Sequence, residues 1–156
     1  MDLSPDKQYR LEELMPMIRQ TLAEGRTVVI RPKGTSMLPL IRQGKDSVEL
    51  SALPEQLKKY DLPLYQRPNG QFVLHRIVRA GETFTCIGDG QFQKEAGVQP
   101  AWMIARVTAV YREGKRVSTD AFSYKLYCRL WHWSRFPRRL LRKAKICLNR
   151  LFARKK

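Results

Sequence analysis

Between residues 26 and 112 the chain is cut into short apolar runs by Gly, Pro and Asn, and this punctuation limits the fold more than any other feature. Thr27-Val28-Val29-Ile30 and Val48-Glu49-Leu50 are short and rich in β-branched or apolar residues, a strand signal. Residues 62–65 and 72–78 flank Arg67-Pro68-Asn69-Gly70, whose Asn-Gly pair marks a hairpin. Residues 84–87 and 102–111 complete the set. Six or seven strands of this kind predict a mainly β body, a small folded or partly closed sheet.

Helical periodicity is confined to the two ends. Ser4 and Pro5 read as an N-cap followed by proline at the first helical position. Leu11, Leu14, Met15, Ile18 and Leu22 then recur at helical spacing, Gly25 supplies the stop, and Pro16 should kink or divide the run. Beyond Asp120 the period changes again. Phe122, Leu126, Leu130 and Trp133 suggest a short helix, and Pro137 can open another. Three segments result: an N-terminal helical segment 1–25, a β domain 26–118 and a basic helical tail 119–156.

Charge divides the same way. The formal net charge is +16, yet residues 1–120 carry 18 basic and 14 acidic side chains, whereas residues 121–156 carry 12 basic and none acidic. A basic helix with interleaved aromatics fits an anionic membrane surface, where Trp131 and Trp133 would settle at headgroup level and Arg138, Arg139, Arg142 and Lys143 would meet lipid phosphates. Each cation near such a surface is worth about 1 kcal/mol. Nucleic acid is the less favoured partner for those charges, and packing on the β body is the remaining use. No window reads as a transmembrane helix, and the N-terminus lacks a secretory pattern. The expectation is a cytoplasmic protein, peripheral on the inner face of the membrane. Cys86, Cys128 and Cys147 are scattered and odd in number, which predicts reduced thiols.

The candidates for chemistry are few. Only His75 and His132 offer imidazole; Ser36 lies in a Gly- and Pro-bounded turn, and Asp89 in Gly88-Asp89-Gly90. Taken singly, each reads as a structural residue. Their order carries more. Gly34-Thr35-Ser36-Met37-Leu38-Pro39, Gly44-Lys45-Asp46, Tyr60-Asp61, Val73-Leu74-His75-Arg76 and Gly88-Asp89-Gly90 together resemble the signal peptidase and LexA-type serine peptidases over roughly residues 26–112. His75 stands where LexA-type and typical bacterial signal peptidases have lysine. The chain is therefore similar to the Ser-His branch, the archaeal and endoplasmic-reticulum signal peptidases, and looks like the small bacterial members without a membrane anchor.

The resemblance implies Ser36 as nucleophile and His75 as general base, with no metal or organic cofactor and with a peptide or protein substrate bound in extended form. Two acids compete to orient the imidazole: Glu95, slightly favoured, falls where the Ser-His branch places its catalytic aspartate, and Asp89 matches the Gly-Asp landmark. The oxyanion would rest on the backbone N–H of Ser36, helped by Thr35, because Gly34 stands where many signal peptidases have a hydroxyl donor. The first Gly-Asp is stretched to Gly44-Lys45-Asp46, and Tyr60 replaces glycine in the second. The rival expectations are a non-catalytic basic module on this scaffold, binding membrane or nucleic acid, and a LexA-like self-cleaving regulator.

Overall fold

A computed structural model describes residues 10–140; Ser4, Pro5, Arg142, Lys143 and Cys147 lie outside them. The chain is mainly β. Helix α1 (Leu11–Ala23) leads into strands β1 (Val28–Ile30), β2 (Ser47–Ser51), β3 (Pro63–Gln66), β4 (Phe72–Leu74), β5 (Arg76–Arg79), β6 (Phe84–Ile87) and β7 (Glu95–Val98). A 3-10 turn (Pro100–Trp102), the long β8 (Met103–Arg112), β9 (Lys115–Ser118) and helix α2 (Phe122–Trp133) follow.

Two antiparallel sheets divide these strands. One runs β1-β2-β8-β3-β4 with β9 also on β8, and the other runs β5-β6-β7. The Asn-Gly hairpin forms as its sequence dictates: Leu64 pairs with Leu74 and Gln66 with Phe72, and Gly70 takes φ +84° in the turn. Residues 72–78, expected as one strand, are two. The chain leaves the first sheet after Leu74 and enters the second at Arg76, so His75 is the crossing residue.

Helix α1 is one helix rather than two, with Pro16 inside it. Proline removes one N–H and crowds the preceding turn. Met15, Ile18 and Leu22 bury their side chains around it. They join Val48, Leu50, Leu62, Leu64, Val107 and Val110 in the larger core cluster. A smaller cluster, including Tyr65, Val73, Ile77, Cys86 and Val98, spans the junction between the sheets. His75 therefore sits between two cores.

Helix α2 is packed on this body. Tyr124 and Cys128 are buried in the larger cluster. Cys86 and Cys128 are free buried thiols, and burial raises the pKa of both, Cys86 to about 12. Tyr60 holds φ +78°, a left-handed conformation that a bulky side chain adopts only under constraint. The constraint is visible. Its N–H donates to the Ile77 carbonyl at 2.8 Å, and its carbonyl accepts from Arg76 Nη1 at 3.1 Å.

Candidate active site

Ser36 lies in the turn that follows β1, between Gly34 at φ +96° and the cis Leu38–Pro39 peptide. Met37 anchors this turn in the core, while Ser36 is half-buried and Thr35 exposed. The Gly34 N–H donates to Gln43 Oε1 at 2.9 Å, and the Ser36 carbonyl accepts from the Gly90 N–H at 2.8 Å. Gly88 makes the approach tighter still. A Cβ there would stand 2.4 Å from the Ser36 carbonyl oxygen, so only glycine fits.

Ser36, Thr35 and His75 line the same cleft, of about 360 Å³, with Arg67, Gln71 and Phe72. No hydrogen bond joins Ser36 to His75 among the described residues. The Ser36 N–H has no acceptor among the described residues either.

His75 is buried, 6% exposed, and its Nδ1 faces two groups: the Tyr65 hydroxyl at 3.4 Å and Glu95 Oε2 at 3.8 Å. Tyr65 donates its own proton to Glu95 Oε2 at 2.7 Å. The phenol oxygen is thus oriented to accept from an Nδ1–H, and that tautomer leaves Nε2 as the basic nitrogen. Glu95 comes from β7, delivered by the pairing of Cys86 with Glu95. Arg67 grips its carboxylate with two parallel bonds of 2.7 Å. Those bonds, with the one from Tyr65, hold Glu95 below the usual carboxylate range and so charged.

His75 titrates low. Burial pushes its pKa down to about 4; the Glu95 charge opposes that shift and the Arg67 charge adds to it. The imidazole is neutral at neutral pH, the state a general base requires, although a base this weak gains less from proton transfer than one poised near 7.

Asp89 is engaged elsewhere. Its two oxygens receive Arg76 Nε at 2.9 Å and Nη2 at 2.8 Å, both partners being buried, and Tyr127 donates to it at 3.1 Å. It makes no hydrogen bond to His75 among the described residues. Of the two acids, Glu95 is the one beside the imidazole. Asp89 instead ties the strand after His75 to the loop under Ser36.

The tail residues also separate. Trp131, expected at a lipid surface, is half-buried: its Nε1 donates to the Asp89 carbonyl at 2.9 Å and its ring stacks on Tyr127. Arg138, expected to meet phosphates, lies 3.4 Å over the Trp131 ring and donates to the Trp131 carbonyl. Trp133 and Arg139 are exposed.

Tyr65 and Arg67 are functional candidates that the sequence did not single out. The only signal for them was position, since both stand on or beside the hairpin that ends at His75. Among the described residues no group of three His, Cys, Asp or Glu side chains is arranged to hold a metal, and no helix is long and apolar enough to cross a membrane. No protein-family model, curated protein or solved structure matches the chain.

Proposed function

We propose that this chain is a serine endopeptidase of the signal-peptidase-like Ser-His type. The observation that carries the reading is a single cleft lined by Ser36 and by a neutral, buried His75 whose Nδ1 faces a Tyr65–Glu95–Arg67 chain. The residues come from separate elements, and their residue types are those that acyl transfer needs.

In this mechanism Ser36 Oγ attacks the scissile carbonyl carbon as its proton passes to His75 Nε2. The Nδ1–H turns to the phenol oxygen of Tyr65, and the Glu95 charge stabilises the imidazolium that forms. The tetrahedral oxyanion takes the Ser36 N–H, with Thr35 at the cleft edge. Collapse breaks the C–N bond, and His75 returns the proton to the leaving amine. Water then repeats the sequence on the acyl-enzyme. The substrate is an extended peptide: β4 is an edge strand paired only with β3, and Phe72, Val73 and Leu74 line the cleft. Such an edge accepts a peptide by strand addition.

A serine-directed phosphonate tests the assignment across pH 6–9. Wild type is labelled on Ser36, Ser36→Ala is not, and His75→Ala is labelled about 10²–10⁴-fold more slowly. Failure of wild type to react, or labelling of Ser36→Ala at the wild-type rate, removes the peptidase reading. Cleavage of the protein's own chain, abolished by Ser36→Ala, would move it to the self-cleaving class.

A further inference from the structure

Helix α2 has two faces of opposite character. Tyr124, Tyr127, Cys128 and Trp131 turn inward to the Arg76–Asp89 pair and the core. The opposite face carries Phe122, Leu126, Leu130 and Trp133, and residues 135–140, which are helical beyond Ser134, extend it with Phe136 and Leu140. Backbone bonds from Ser134 N–H to the Leu130 carbonyl and from Arg138 N–H to the Ser134 carbonyl carry the helical period across the junction. These outward side chains are open: Trp133 is 85% exposed, Phe122 79% and Phe136 73%. A lone exposed apolar residue is ordinary, but six along one helical line are not.

Cations accompany this stripe, with Arg129 inside it, three residues after Leu126 and four before Trp133. Lys125, Arg129 and Arg139 are exposed on the same helical stretch, and no acidic residue occurs from residue 121 onward. Lys125 has one acidic neighbour, Asp120, at 3.5 Å.

We infer that the outward face of α2 and residues 135–140 is a docking surface for an anionic lipid bilayer. The helix would lie in the interface with Phe122, Leu126, Leu130, Trp133, Phe136 and Leu140 among the acyl chains and glycerol region. Lys125 and Arg139 would sit at the lipid phosphates, and Arg129, inside the stripe, would reach them along its apolar stem. Charge separates this occupant from the two others. A second copy of the same face would set cations against cations. A nucleic acid would use the cations but leave the apolar line without a partner. A bilayer with negative headgroups uses both. The surface differs from the one the sequence suggested, because Trp131 and Arg138 belong to the inward side. The inference does not rest on the peptidase reading.

Flotation of the full chain with vesicles tests it, comparing phosphatidylcholine alone with phosphatidylcholine containing phosphatidylglycerol. The wild type floats with the anionic vesicles, less as salt is raised, and weakly with the neutral ones. Trp133→Glu/Phe136→Glu lowers partition about tenfold or more while thermal stability and Ser36 labelling stay at wild-type levels. Lys125→Glu/Arg129→Glu gives a second, charge-based loss on the same readout. Wild type that does not float overturns the inference. So does equal flotation of the Trp133/Phe136 variant, which would assign binding to charge outside the stripe. A stripe variant that turns a dimer into a monomer without any flotation would make the face an interface between copies, and overturns it equally.

Discussion

At the residue scale, the decisive feature is an imidazole kept neutral by burial. With the His75 pKa pushed down to about 4, kcat/KM should rise with pH through about 4 and reach its plateau well below the 6.5 of an ordinary histidine. Measuring the acid limb on a peptide or acyl-probe substrate checks this; a limb centred near 6.5 contradicts it. Glu95→Gln removes the one close charge that favours imidazolium, so its acid limb moves lower still and the plateau falls. Stability follows the same linkage. The unfolded chain binds the His75 proton near pH 6.5 and the folded chain only near 4, so stability is lost as pH falls through that window. The full loss is on the order of 3 kcal/mol, since one pKa unit is about 1.4 kcal/mol. Thermal melts from pH 7 to pH 4 should show a steeper decline for wild type than for His75→Gln, which has no proton to gain.

At the element scale, the Ser36 turn and the His75 strand are joined beneath the cleft rather than across it. Arg76 follows His75 and binds Asp89 bidentately; the Gly88-Asp89-Gly90 loop presses on the Ser36 carbonyl. Gly88→Ala places a Cβ 2.4 Å from that backbone oxygen and must displace the turn. A shift of about 1 Å costs roughly 10²-fold in rate, and we expect Ser36 labelling to fall by that order while the protein stays folded. Asp89→Asn leaves Arg76 buried without its counter-charge and should cost about 3–5 kcal/mol, read by denaturant unfolding. The same elements show what a reader of sequence can see. The Asn-Gly hairpin was legible because its turn chemistry is local. The break at His75 was not, because apolar strand-like residues continue on both sides while the chain changes sheets. Strand β7 was missed since Glu95-Ala96-Gly97-Val98 has little strand propensity, with Gly97 at φ +75°, and so the route bringing Glu95 to His75 was hidden. The order of motifs singled out Ser36 and His75, which line one cleft. Tyr65 and Arg67 were not singled out, because their roles exist only once β3 and β7 are folded together.

At the scale of the whole molecule, the basic C-terminal segment cannot be treated as an appendage. Periodicity assigned its apolar stripe to a helix face, and a helix packed on a folded body ordinarily turns such a stripe to the core. Here the inward stripe is Tyr124, Tyr127, Cys128 and Trp131, because what it covers is a buried ion pair whose guanidinium needs acceptors and whose aspartate needs donors. Tyr124 Oη and Cys128 Sγ lie 3.0 and 2.9 Å from Arg76 Nη1, and the Trp131 indole satisfies the Asp89 carbonyl. Ending the chain at Asp120 would therefore uncover Arg76 and Asp89 as well as part of the core. Loss of those buried surfaces and hydrogen bonds should remove about 5 kcal/mol, a fall of about 10–20 °C in Tm for a domain of this size. Ser36 labelling should fall with it, since the loop beneath Ser36 loses its cover. The control is Trp133→Glu/Phe136→Glu, which changes only the outward face and should melt with wild type. If the truncated chain melts with wild type and labels at full rate, α2 is not part of the scaffold that sets the Ser36–His75 geometry, and the coupling through Asp89 is wrong.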